Sequence, residues 1–169
     1  MKIAIIGYSA SGKSTLAKKL ADYYNVPRLH MDTLRFQPNW ITSDNDWMKS
    51  QVQSFLQQNN SWVIDGNYSF CLYHERMQEA DLIIYLNFSR LNSLFRAVKR
   101  YIKYHGKNRE DMANGCKEKL DWEFIRWILK DGRSKESKER YQSIQKFYPE
   151  KFIQLHNQNE INRFLKTLK

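Results

Sequence analysis

The sequence predicts an α/β fold built on one sheet of parallel strands, and three observations carry that prediction. Five short apolar runs, at 2–6, 27–30, 61–65, 81–87 and 151–155, have the length and residue types of buried parallel strands. The segments between them carry apolar residues at helical spacing. At the first strand-to-helix junction, Gly7-Tyr8-Ser9-Ala10-Ser11-Gly12-Lys13-Ser14 fits G-x-x-x-x-G-K-[ST] without a gap.

The opening run Lys2-Ile3-Ala4-Ile5-Ile6 breaks at Gly7, and Leu16, Ala17, Leu20 and Tyr24 then mark a helix that Asn25-Val26-Pro27 stops. Glycines let such a loop curl until its N–H groups point inward, and the new helix adds unpaired N–H groups and its positive dipole end. This is a cradle for phosphate oxygens. Gly7, Ser9, Ala10, Ser11, Gly12, Lys13, Ser14 and Thr15 are expected to hold ATP. Lys13 would place a point charge on the β- and γ-phosphates, and the Ser14 hydroxyl would ligate Mg²⁺. A dinucleotide loop is excluded, because Ser9 stands where G-x-G-x-x-G needs its second glycine.

The second strand ends in Met31-Asp32-Thr33-Leu34-Arg35, and ligands of open α/β sheets collect beyond the carboxyl ends of strands. Asp32 there can orient or deprotonate an acceptor hydroxyl, and Arg35 can clamp an anionic group; the alternative is a capped surface loop. Residues 36–40 read as an aromatic-containing loop. Ser43-Asp44-Asn45-Asp46 starts a helix whose stripe is Trp47, Val52, Phe55 and Leu56. The third strand ends in Asp65-Gly66-Asn67-Tyr68, where Asp65 either holds Mg²⁺ through water or opens a plain turn. A helix over about 70–78 leads to the fourth strand, whose end carries Asn87 rather than an acid.

Ser89 caps a helix striped by Leu91, Leu94, Phe95, Val98, Tyr101 and Ile102, with Arg96, Arg100 and Lys103 on its other side. Those arginines form either a solvated face or a basic rail towards phosphates, with Arg96 able to stack on a base. Residues 105–119 lack apolar periodicity and read as a lid loop. The next helix, Leu120 to Lys130, is apolar on most sides and is expected to be well buried. Asp131-Gly132-Arg133 breaks it, a charged helix runs to Phe147, and a helix striped by Ile161, Phe164, Leu165 and Leu168 follows the last strand.

At 169 residues, 41% of them hydrophobic, the chain suits a single globular domain. Cys71 and Cys116 make no disulfide framework, and Cys116 with His105 and Asp111 does not match a zinc pattern. No stretch has the length of a signal peptide or a membrane span, so a cytoplasmic protein without membrane partners is expected. The net charge is +10, and more than half of the Lys and Arg residues lie between Arg90 and Arg140. Such a region serves a polyanionic nucleotide, a nucleic acid or only solubility.

The order of these parts resembles the P-loop kinases related to adenylate kinase, and most closely the FlaR-type DNA topology modulation proteins. The general likeness rests on residues 7–14, on Asp32 and Arg35, on Asp65-Gly66, and on Arg96 and Arg100 before a lid. The narrower one rests on Gly106-Lys107-Asn108-Arg109-Glu110-Asp111-Met112, Gly115-Cys116, and Asp121-Trp122-Glu123-Phe124-Ile125-Arg126-Trp127. The resemblance implies a three-layer α/β/α fold with a five-stranded sheet in the order 2-3-1-4-5, and ATP with Mg²⁺ as cofactors. It implies Arg96 near the adenine, Arg100 near the phosphates, and Arg109 or Arg133 near the transferring group. The chain departs from adenylate kinases in having Met31-Asp32-Thr33 and Asn67-Tyr68-Ser69 around the acceptor, and Lys117 and Lys119 in the lid.

The expected activity is therefore transfer of the γ-phosphoryl group of Mg-ATP to a small-molecule or nucleotide acceptor, with Lys13, Asp32, Arg100 and Arg133 as catalytic candidates. The competing class is a nucleotide-binding, DNA-associated protein whose basic region faces the phosphate backbone. No helix-turn-helix, zinc-finger or RNA-binding signature accompanies it. A protein that binds ATP without transferring phosphate is the third class.

Overall fold

The computed structural model describes residues 1–106, 112 and 115–168. Residues 107–111 and 113–114 of the predicted lid, Arg109 among them, lie outside the described residues.

Five parallel strands form the sheet: β1 (Lys2–Gly7), β2 (Arg28–His30), β5 (Trp62–Asp65), β6 (Leu82–Leu86) and β7 (Phe152–Leu155). Their spatial order is β2-β5-β1-β6-β7, which is 2-3-1-4-5 counted along these five strands. β1 sits at the centre, with Ile5 opposite both Asp65 and Ile84. Alternate side chains enter opposite layers, as a pleated strand requires. Ile3 and Ile5 pack with Leu16, Leu20 and Ile161, from helices α1 (Lys13–Tyr24) and α8 (Gln158–Thr167). Ala4 and Ile6 pack with Met48, Val52, Tyr73, Met77 and Tyr141 on the other face. Those residues belong to α3 (Asn45–Gln58), α4 (Tyr73–Glu79) and α7 (Lys135–Phe147).

Three expectations need correction. Residues 36–40, read as a loop, belong to a small antiparallel ribbon of β3 (Phe36–Gln37) and β4 (Ile41–Thr42) after the short helix α2 (Met31–Arg35). The helix α6 (Trp122–Leu129) buries only Ile128, and Trp122 is 75% exposed. It packs on helix α5 (Arg90–Tyr104) beside the sheet rather than between layers, so Phe124, Ile125 and Leu129 are half-buried and Trp122 and Trp127 meet solvent. On α5 itself the buried residues are Ser93 and Ala97, while Leu91, Phe95 and Ile102 of the predicted stripe are exposed. Among the described residues, no helix is long and apolar enough to cross a membrane.

Candidate active site

The phosphate loop owes its shape to a few backbone conformations. Gly7 has φ of 141°, and a Cβ there would lie 2.5 Å from the Leu86 carbonyl oxygen of the neighbouring strand. Only glycine fits. Ala10 at φ 60° and Gly12 at φ 98° are left-handed, and they turn the chain sharply into α1. No side chain caps this helix, so its first N–H groups remain open to an anion. Ser11 is buried in the loop, and its hydroxyl has no partner among the described residues. An uncapped helix end and a buried, unanswered hydroxyl together fit a phosphate-bearing ligand.

Lys13 folds back over this loop, donating to the carbonyl oxygens of Gly7 and Tyr8 at 3.0 Å each. Burial pushes its ammonium below the ordinary lysine range; Asp32 and Asp65 pull it up, and Arg100 pushes it further down. That balance identifies the neighbourhood: two predicted carboxylates and one predicted arginine bear on the predicted lysine. Arg133 is not among them. Its Nε donates to the Ile128 carbonyl and its Nη2 to the Phe88 carbonyl and the Ser93 hydroxyl, and its guanidinium lies 3.8 Å from the centre of the Tyr8 ring. It braces α5, α6 and the loop from another side.

Asp65 ends β5 fully buried. One of its oxygens lies 2.8 Å from His30 Nδ1, and the other has no partner among the described residues. The far nitrogen of His30 lies 3.7 Å from Asp32, so a histidine bridges the two carboxylates. Asp32 also accepts a 2.6 Å hydrogen bond from the Tyr68 hydroxyl. Burial and the adjoining carboxylate push the Tyr68 phenol far up, which keeps it a donor. Arg35 donates to the Ser43 carbonyl and the Asn45 side chain and faces the Phe70 ring, at the rim of this group.

Two further residues hold these parts in register. The Asn67 amide accepts from the Gly7 N–H at 3.0 Å and donates to the Gly7 carbonyl, tying the turn after β5 to the start of the phosphate loop. Arg76, on α4 and almost wholly buried, donates to the carbonyls of Cys71, Gly66 and Tyr68. Burial lowers its pKa to about 10, and three carbonyl acceptors compensate a charge that otherwise would not persist there. Neither residue carries a motif; an arginine in an amphipathic helix and an Asn after Asp-Gly look like surface and turn chemistry.

Two members of the predicted rail of α5, Arg96 and Arg100, are folded inward, while Lys103 is exposed. Arg96 donates to the Ala10 carbonyl at 3.2 Å and to Gln158 at 3.0 Å, and it faces the Phe88 ring. Arg100 pairs with Glu118 at 2.8 Å, next to the lid. The end of the segment predicted as a lid is docked: Cys116 donates to the Gln37 carbonyl and Trp40 donates to the Lys117 carbonyl, so the β3–β4 ribbon serves as its seat. Trp127 of α6 donates to the Ser9 hydroxyl at 3.0 Å, reaching the phosphate loop from the opposite flank. Ser14 is half-buried and Thr15 exposed on the first turn of α1.

No family model and no curated protein matches the chain. Solved structures do. A shikimate kinase from Bacteroides thetaiotaomicron superposes with a TM-score of 0.55 at 16% identity, over 99% of this chain and 98% of that one. An uncharacterized protein from Eubacterium ventriosum superposes with a TM-score of 0.51 at 16% identity, over the same shares. At this identity the likeness shows the fold alone: a three-layer α/β/α arrangement around a parallel sheet, spanned nearly end to end.

Proposed function

We propose that this protein is a P-loop phosphotransferase of the adenylate-kinase-like group, of the FlaR type by its lid and α6 motifs, acting on a small polar acceptor. The observation that carries the reading is the grouping of Lys13 with Asp32, Asp65 and Arg100 beside an uncapped phosphate loop. The whole-chain likeness to a solved structure named as a shikimate kinase supports it.

In this reading Lys13 leaves the Gly7 and Tyr8 carbonyls for the β- and γ-phosphates, where its charge is compensated and its lowered pKa recovers. The open amides of loop and helix hold the rest of the chain of phosphates. Asp32, held by Tyr68, accepts the proton of the acceptor hydroxyl as that oxygen bonds to the γ-phosphorus and the bond to the β–γ bridging oxygen breaks. Arg100 balances charge from the lid side, and Arg35 orients an anionic acceptor at the rim. No group of three or more His, Cys, Asp or Glu is set for a metal among the described residues. The Ser14 hydroxyl and the unpaired oxygen of Asp65 are hard oxygen donors that would fit as the protein's share of a Mg²⁺ otherwise carried by phosphates and water. Bound there, the ion would neutralise phosphate charge.

The test is Mg-dependent release of ADP across nucleoside monophosphates, nucleosides and small phosphorylated or hydroxylated metabolites. Lys13→Ala is expected to lower the best turnover by a factor of about 10² to 10³ or more. Full activity without this ammonium would overturn the reading. The DNA-associated alternative finds little support, since Arg96 and Arg100 face the loop and the lid rather than forming a row in solvent.

A further inference from the structure

A cavity of about 490 Å³ opens at the carboxyl ends of β6 and β7, lined by Asn87, Phe88, Ser89, Arg90, Leu91, Arg133 and His156. We propose that it is a second anion site, one that takes a phosphate monoester, separate from the phosphate loop.

Its charged walls are cationic. Arg90, whose Nε donates to the Leu129 carbonyl, and Arg133 line it beside the His156 imidazole, and no Asp or Glu does. The acid next to it, Glu160, is committed to the His156 amide and the Asn157 side chain. Arg133 is only 9% exposed, and Nε and Nη2 are engaged with protein oxygens. Its remaining nitrogen, Nη1, has no hydrogen-bond partner among the described residues. A guanidinium 9% exposed, with both N–H groups of Nη1 left over on a side chain that lines a cavity, points to an acceptor supplied from outside.

The backbone adds to this. The cavity meets the first turn of the fifteen-residue helix α5. Ser89 spends its hydroxyl on the Asn92 amide, while the amides of Arg90 and Leu91 have no acceptor among the described residues. These open N–H groups and the positive end of α5 face the same space as the arginines, an arrangement suited to a doubly charged tetrahedral oxyanion. The volume exceeds that of orthophosphate and falls within the range of small-ligand sites, so an organic ester is the expected occupant.

Amide NMR titration tests this, with inorganic phosphate and with glycerol 3-phosphate as probes. The Arg90 and Leu91 amides and the Arg133 Nε–H are expected to shift and saturate, glycerol 3-phosphate at lower concentration. The double variant Arg90→Glu, His156→Glu changes two exposed side chains and should weaken both probes by at least about tenfold. Shifts confined to residues 9–14, shifts that never saturate, or equal titration of the double variant would overturn the proposal. If inorganic phosphate binds as tightly as the ester, the site is a free-phosphate site and the ester assignment fails. Lys13→Ala should leave these shifts in place, so this site and the kinase reading can fail separately.

Discussion

The sheet body and the α5–α6 arm are made from the same kinds of residues and treat them in opposite ways. Trp62 on β5 is completely buried between strands and helices, whereas Trp122 on α6 is 75% exposed. Ile3, Ile5 and Ile6 on β1 are sealed, while Leu91, Phe95 and Ile102 on α5 face solvent. The difference is one of layers. A strand inside a three-layer sandwich is covered on both faces, but a helix at its side has a single contact and must leave the rest of its surface wet. Apolar periodicity states what a segment is able to bury; the number of neighbours decides how much of it is buried.

Substitutions can break or sharpen that contrast. The largest effect belongs to the body: Trp62→Ala should cost about 3–5 kcal/mol in denaturant unfolding, by transfer and cavity terms together. A loss below 1 kcal/mol would mean that the core is not closed around it. Asn67→Ala comes next. It strips the Gly7 N–H of its acceptor and should cost about 1–3 kcal/mol, together with a weaker Mg-ATP affinity in calorimetry. Unchanged affinity would show that the loop holds its shape without this tie.

Lys13 offers a pH test in the absence of nucleotide. Its folded pKa lies below that of the unfolded chain, so between the two values the unfolded state holds a proton that the folded state has released. Stability should therefore climb with rising pH through that window and reach its full value above the ordinary lysine pKa. Lys13→Met should lack this climb when the two stability–pH curves are subtracted. The smallest effect belongs to the arm: Phe95→Ser should change the melting free energy by no more than about 0.5 kcal/mol. A loss like that of Trp62→Ala would reveal a partner covering this face of α5.

Much of the site was legible because its chemistry is local. The spacing of Gly7, Gly12, Lys13 and Ser14 encodes a backbone curl and a helix start within a few residues. Asp32 and Asp65 stood out because each closes an apolar run, and strand ends of such sheets gather at one edge. His30 and Arg76 did not stand out, and Asn67 and Tyr68 did so only as departures from the adenylate-kinase pattern. Their roles consist of bonds to groups that are distant in the chain, such as the tie from Asn67 to Gly7, and no spacing rule announces a pair of that kind.

What the sequence by itself determined is the order of strands and helices and the phosphate loop, since apolar period and glycine placement act over short stretches. Only the tertiary structure decided which arginines serve which neighbours. Arg96 and Arg100 turned inward to the loop and the lid, Arg76 was buried as a brace, and Arg133 was drawn to Tyr8 and the cavity beyond β6. A long cationic side chain has no preferred partner until carbonyls and carboxylates from remote segments are brought within its reach, and that arrangement exists only after the layers have packed.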